Sequence, residues 1–387
     1  MINVFQPSLG AEELAAVAEV FDSSWVGKGP KVAEFEAAFA ARLGVAGTRL
    51  LSVDTCTEAT FLAVRLAGLG AGCDVVMPTI AFVSAANAVA AHGARPVFCD
   101  VDPHTLNPTA EHVEAALTPA TKAVLVLHYG GHPGEIDRIA DLCAERRVVL
   151  IEDAANAVAS AIGERACGTF GDFGVWSFDH GKIAVAGDGG MLYARDPDLV
   201  ERARKLAYLG LEQASGFAQA AGQTATRWWD ITVSSFSRRS VMNDILAAIG
   251  CVQLRRLDGF LRRRAEIVAH YDRALAGIPA LGLPPALPPG HRGSHYFYWV
   301  QMPAGIRDEV ARDLYDRGIY TTMRYPLLHR VRAYGSDARL PGAESAAART
   351  LNLPLHQGLS DGDVEAVVAG VRAAVTARVP ALPVEVP

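Results

Sequence analysis

The chain is predicted to be an α/β protein built on a mostly parallel sheet, and three observations lead there. Short apolar runs recur at residues 50–53, 75–78, 96–101, 124–128, 148–153 and 174–178, with helix-like stretches such as 58–67 between them. The run Val148 to Ala155, V-V-L-I-E-D-A-A, places two carboxylates after four apolar residues. A buried parallel strand that delivers acids to the carboxyl edge of its sheet has this form, and open α/β sheets bind ligands at that edge. With 387 residues, half of them hydrophobic, the chain suits a large domain carrying a smaller one.

Taken in order, residues 2–7 form an extended arm and 11–21 an amphipathic helix whose apolar face is expected at Leu14, Val17, Ala18 and Phe21. A glycine loop, Trp25 to Pro30, leads to a second helix over 31–43. Strand 50–53 then turns through Asp54-Thr55-Cys56-Thr57 into helix 58–67. A helix start offers unpaired N–H groups and a positive dipole end, so this turn is a candidate phosphate site with Thr57 as a further donor. Plain N-capping by Thr55 or Thr57 accounts for the same residues.

Strand 75–78 is followed by an alanine-rich helix from Thr79, with Phe82 either core or available to a ligand. Beyond strand 124–128, His128 and His132 lack a third ligand at supporting spacing, and a metal site is rejected. Residues 209–226 read as a long loop, with order resuming at 227–230. A long helix over 245–275 and a proline-rich linker over 279–290 lead to a strand at 295–302, a helix at 307–317, a strand at 319–323 and a last helix at 361–377. The division expected is an arm and helix over 1–24, a large domain over 25–255 and a small domain over 256–387.

The chemistry centres on Trp176 to Gly190, W-S-F-D-H-G-K-I-A-V-A-G-D-G-G. Of 36 lysines and arginines only five are lysine, so the chain uses arginine wherever a plain positive charge suffices. Lys182, placed between a buried strand and a tight glycine turn, therefore suggests the one property arginine lacks, an amine that condenses with an aldehyde. A surface loop lysine is the plain alternative. Asp153 is either a helix N-cap or the partner of a cofactor's ring nitrogen. Lys182 and Asp153 together favour a pyridoxal phosphate site. The net charge of −6, with no basic run, argues against nucleic acid as the main partner. Six scattered cysteines without a C-x-x-C pair point to reduced thiols in a cytoplasmic protein, and no apolar run is long enough to cross a bilayer.

The segments I-E-D-A-A-N, G-D-F-G-V-W-S-F-D-H-G-K and G-D-G-G-M-L resemble the fold-type I pyridoxal phosphate aminotransferases that act on keto-sugar nucleotides, with which aminocyclitol aminotransferases and aminohydroxybenzoate synthase belong. The resemblance extends to W-V-G-K-G-P, P-V-F-C-D-V-D-P, M-N-D-I-L-A-A-I-G and Y-F-Y-W, nearly the whole chain. It implies a large domain with a mostly parallel seven-stranded sheet, a small α/β domain, and a homodimer with shared active sites. Lys182 and Asp153 are then catalytic; Cys56, Thr57, Phe82, Asn156, Ser177 and, across the dimer, Arg239 hold the cofactor; Trp25, Arg324, Tyr325 and His329 lie near substrate. Cys56 stands where relatives have glycine, Asn156 where they have Gln or His, and Arg324 where they have histidine. The reaction implied moves an amino group from glutamate or glutamine to a keto-sugar nucleotide or keto-cyclitol in amino-sugar or antibiotic biosynthesis. A dehydratase of the same fold and a non-catalytic cofactor-binding regulator are the alternatives. Some dehydrating relatives have histidine in place of the lysine, and this chain keeps the lysine.

Overall fold

The structure, a computed structural model, describes residues 1–212 and 231–379. The segment 227–230 and most of the loop expected over 209–226 lie outside that range. The sheet is built from β1 (Leu50–Val53), β2 (Asp74–Pro78), β3 (Arg95–Cys99), β4 (Thr121–Leu127), β5 (Val149–Asp153), β8 (Phe173–Ser177) and β9 (Gly190–Ala194), the short pieces β6 (Ala161–Ile162) and β7 (Arg165–Ala166) standing apart. Its seven strands run in the order β1-β9-β8-β5-β4-β2-β3. The pairs from β3 to β8 are parallel, while β9 is antiparallel to both β8 and β1. Helices α3 (Cys56–Leu66), α4 (Val83–Ala91), α5 (Ala110–Ala116), α6 (Ile136–Arg146) and α7 (Pro197–Ala207) accompany the strands. Covered on both faces, β1, β2, β8 and β9 are buried at every residue, which is why the first three read as apolar runs; β9 is an addition to the expected strands. Leu127, Asp153 and Ser177 end three neighbouring parallel strands and so reach the same edge.

Helix α8 (Asp244–Leu275) spans two cores. Leu254, Leu257 and Phe260 join the core of the large sheet, and Ile267, Tyr271 and Leu275 join a second one with Tyr298, Leu314 and Val367. The second core is enclosed by the antiparallel pair β11 (Tyr298–Gln301) and β12 (Thr350–Leu353) with α9 (Ala304–Asp316) and α11 (Asp361–Thr376); α10 (Pro341–Arg349) buries Ala343 and Ala346 in the core of the large sheet, and β10 (His291–Arg292) pairs with β6. Among the described residues no helix is long and apolar enough to cross a membrane.

Several boundaries differ from expectation for tertiary reasons. Helix α1 (Ala11–Asp22) buries Ala16 and Val20 against Ala248 and Val252, leaving Leu14 and Phe21 72% and 60% exposed. Both stripes have helical spacing. The buried one is chosen by Glu13, which accepts from Gln253 Nε2 at 2.8 Å and pairs with Arg256. Helix α4 starts at Val83 rather than Thr79, because the Thr79 hydroxyl is engaged with His329 Nδ1 at 2.7 Å and with its N–H at 3.1 Å. The strand expected over 295–302 is confined to Tyr298–Gln301, since Ser294 and Tyr296 donate their N–H groups to Gly131 and Gly130. The strand expected over 319–323 is reduced to single bridges, Ile319 with Ile2 and Thr322 with Asn352.

Helix α2 (Pro30–Leu43) owes its start to a distant residue. Asp244 is 2% exposed, and its carboxylate accepts the N–H groups of Gly29 (2.8 Å), Lys31 (3.2 Å) and Val32 (3.0 Å). A Cβ at Gly29 would lie 2.6 Å from Asp244 Oδ2, so only glycine admits the carboxylate. A buried carboxylate at a helix start satisfies orphan donors and faces the positive dipole end. Asp244→Ala is therefore expected to lower stability by about 2–4 kcal/mol, read as a shift of the urea midpoint. A midpoint within error of wild type would mean that water replaces the carboxylate.

Candidate active site

A cavity of about 450 Å³ opens at the carboxyl edge of the sheet. From the large sheet it is lined by Thr55, Cys56, Thr57, Asp153 and Ser177, and from beyond α8 by Tyr296, Arg324 and Tyr325. A hollow of about 650 Å³ between α2 and α7, lined by Lys28, Glu36, Arg204 and Tyr208, is larger but lacks the lysine and aspartate, so size does not choose the site.

Thr55 is the N-cap of α3, its Oγ1 accepting from Glu58 N at 3.0 Å. The capping reading is thus right for Thr55, yet Cys56 and Thr57 still line the cavity in the first turn, where backbone donors are left for an anion. Burial pushes the Cys56 thiol up, so it stays neutral beside that anion. Ser177 lines the same part of the cavity, its Oγ accepting the Asp179 N–H at 3.3 Å and its own proton free to donate.

Asp153 is 3% exposed, and no helix follows it. Its Oδ1 accepts the Ala155 N–H at 3.1 Å. Burial raises its pKa above the usual carboxylate range, against the pull of that N–H, Lys182 and His128. A carboxyl held dry in this way gains from a cationic partner, which a protonated ring nitrogen supplies.

Lys182 sits in the turn joining β8 to β9, which is closed by Lys182 N to Asp179 O at 2.9 Å and Ala186 N to Phe178 O at 2.8 Å. Its Nζ donates to Asn156 Oδ1 at 3.0 Å and lies 4.7 Å from the centroid of the Tyr296 ring. Asn156 is buried behind the lysine, 3.5 Å from the Tyr325 hydroxyl, and burial drives that phenol up to about 12, so it remains a neutral donor. Phe82, 46% exposed, lines the cavity 5.7 Å from the Tyr325 ring and is not a core residue.

The expected substrate residues divide. Arg324 and Tyr325 line the cavity. His329 does not; it is buried as a brace between Thr79 and Glu344, its Nε2 3.2 Å from Glu344 Oε1. Trp25 lies outside this chain's cavity, donating from Nε1 to Lys28 O at 3.0 Å, and Arg239 is also outside, over the Tyr208 ring. Sequence reasoning missed Phe5 and Pro7 of the arm, Tyr296, Asp188 and His180, all of which line the cavity. The Y-F-Y-W run was the available signal for Tyr296. Among the described residues no cluster of His, Cys, Asp and Glu could hold a metal.

A lysine, a buried aspartate, an uncommitted helix start with hydroxyls beside it, and an exposed aromatic side chain fit pyridoxal phosphate as a set. Fold and site thus define a fold-type I pyridoxal phosphate enzyme. Residues 7–372 match the DegT/DnrJ/EryC1/StrS aminotransferase family, and the chain belongs to it. It is 57% identical over 367 residues to the dTDP-4-dehydro-2,3,6-trideoxy-D-glucose 4-aminotransferase of Saccharopolyspora spinosa, covering 95% of each chain. The crystal structure of an aminotransferase from Streptoalloteichus hindustanus is similar at a TM-score of 0.93 and 60% identity, covering 97% of this chain and 99% of that one. A sugar aminotransferase from Micromonospora echinospora is similar at 0.87 and 30%, covering 96% and 100%. The protein is a pyridoxal phosphate-dependent aminotransferase.

Lys182→Ala is expected to abolish turnover and the visible absorbance band of the lysine–cofactor linkage; a variant keeping both would remove Lys182 from the reaction. Asp153→Ala should hold cofactor more weakly on dialysis and lose roughly 100- to 1000-fold in rate, the scale of a broken buried charge pair. Tight cofactor and near-normal rates would reduce Asp153 to a turn residue.

Proposed function

We propose that the enzyme transfers an amino group from glutamate or glutamine to the ketone of a nucleotide-linked deoxy sugar, in the cytoplasm, for amino-sugar or antibiotic biosynthesis. The observation that carries this reading is the placement of the Lys182 amine, held by Asn156, in one cavity with the buried Asp153. Full-length similarity to an enzyme named for such a sugar supports the acceptor class. Pyridoxal phosphate, when bound, supplies the carbonyl that carries nitrogen between substrates and the electron sink that acidifies the adjacent carbon. Cys56, Thr57 and Ser177 would hold its phosphate, Phe82 would cover its ring, and Asp153 would keep its ring nitrogen protonated. Nζ of Lys182 takes the proton from the donor's α-carbon and, in the return half, delivers one to the carbon that was the ketone.

The test is a screen of keto-sugar nucleotides and keto-cyclitols with glutamate and with glutamine, following the keto acid by mass spectrometry. Stoichiometric keto acid and aminated sugar are expected. A dehydrated keto product with no amine transferred would make the protein a dehydratase.

The chain is proposed to work as a homodimer, each copy with a large and a small unit divided near residue 255 in α8. The exposed apolar groups Leu14, Phe21, Trp25 and Phe236 support a covered face. In that assembly Arg239 reaches the partner's cofactor phosphate; a guanidinium presents paired donors and keeps its charge at working pH. Mixing inactive Lys182→Ala with inactive Arg239→Ala should restore activity, because one site of each heterodimer then carries neither lesion. Demonstrated subunit exchange without recovery would place the whole site in one chain.

A further inference from the structure

Resting on that reading, the cavity must accept an anion in each half-reaction, an amino-acid carboxylate and then a nucleotide diphosphate. Its lining carries two fixed cations, Lys182 and Arg324, and the imidazole of His180. Lys182 is committed to the transfer, and His180 Nδ1 is paired with Asp179 Oδ2 at 2.9 Å. Arg324 differs from both. Its backbone is fixed by donation to Asn352 Oδ1 at 2.9 Å, yet its guanidinium has no hydrogen bond or ion pair among the described residues. It rests instead on the Phe5 ring, 4.8 Å from the centroid. Phe5 in turn stacks on Tyr296 at 5.6 Å and 16°, and Tyr296 lies beside the Lys182 amine.

The contrast with Arg264 is informative. That guanidinium is 2% exposed, and it donates to His295 O (2.9 Å), Gln357 Oε1 (3.0 Å) and Tyr296 O (2.9 Å). The fold satisfies a guanidinium it uses as a brace. One left half-buried without an acceptor, on a cavity wall and fixed by an aromatic face, has its planar donors available for an oxyanion. We propose that Arg324 is the docking cation for the oxyanion group of a substrate, the carboxylate of the amino donor or the diphosphate of the nucleotide sugar, and that Phe5 of the N-terminal arm is its positioning residue.

The test uses the holoenzyme and measures the binding of two unreactive probes, glutarate and thymidine diphosphate, by calorimetry. Arg324→Gln should weaken one or both by about tenfold or more, while the visible cofactor band stays unchanged. Weakening of glutarate alone assigns the donor, and of thymidine diphosphate alone the acceptor. Arg324→Lys should recover part of the loss, and Phe5→Leu should raise KM for the same substrate more than it lowers kcat. The wild-type advantage should shrink as salt rises. Wild-type affinity for both probes in Arg324→Gln overturns the proposal, as does weakening seen only together with loss of the cofactor band. Should Arg324→Gln fail to fold, Arg324→Met with wild-type affinity for both probes at low and high salt overturns it equally. If wild type transfers no amine to any nucleotide sugar, the functional reading fails while the glutarate measurement still stands. Normal transfer with unchanged probe binding sinks only the role of Arg324.

Discussion

The site depends on a backbone contact. In the register of β1 with β9, Val53 faces Gly190, so the strand leaving the lysine turn begins beside the strand that leads into α3. A Cβ at Gly190 would meet Thr55 O and lie 2.6 Å from Cys56 N. Any side chain there would push the start of α3 away from the turn. The separation between the start of α3 and the Lys182 amine is therefore set by two main chains in contact, which bend less readily than side chains. A tight glycine turn costs conformational entropy, and the buried pairing of β8 with β9 offsets it.

The second unit then completes what the sheet edge begins. Tyr296 N and Ser294 N bond to Gly130 and Gly131, which follow β4, so the loop before β11 is tied directly to the large sheet. That tie brings Tyr296 over Lys182, and the Tyr296 hydroxyl donates to Gly181 O at 3.3 Å, reaching the lysine turn itself. The arm follows the same unit: Ile2 N donates to Gly318 O at 2.7 Å and Tyr320 N to Ile2 O at 2.9 Å, which sets Phe5 against Tyr296. Tyr296 and Tyr325, with Phe5 packed on them, thereby join the core of the large sheet.

Six of the seven strands of the large sheet were legible because both their faces are buried, so apolar runs coincide with elements; β9, directly behind the glycine turn, was not among them. Lys182 and Asp153 were legible for a chemical reason, as residue types poorly explained by scaffold needs at strand ends. What escaped depends on partners remote in sequence. The two stripes of α1 are equivalent by period, and only the bonds of Glu13 to Gln253 and Arg256 decide between them. His329 matched a loop beside the site, yet its ring is spent on Thr79 and Glu344. Phe5 belongs to a short arm without periodicity, and nothing local announces that it will stand in a cavity wall. The strand expected at 319–323 has the composition of one but lacks a neighbour long enough for a ladder.

The dipeptide Glu152–Asp153 shows how one strand end serves fold and chemistry at once. Successive residues on a strand point to opposite faces, so the carboxylate that lines the cavity has a neighbour directed away from it. Glu152 is fully buried there, accepting from Gly168 N at 2.7 Å, Gly171 N at 2.6 Å and His128 Nε2 at 2.9 Å. Burial works against a charge on His128, but Cys167 and Glu152 outweigh it and leave the imidazole well above an ordinary histidine. His128 N also donates to Asp153 O at 3.2 Å, so the end of β5 is gripped by main chain on one side and by a saturated carboxylate on the other. His128, tempting in the sequence as a metal ligand, is spent on this grip. A buried carboxylate holds its place in a cavity wall only if it cannot swing toward water, and the atoms that fix the end of β5, Glu152 and His128, are outside the cavity lining.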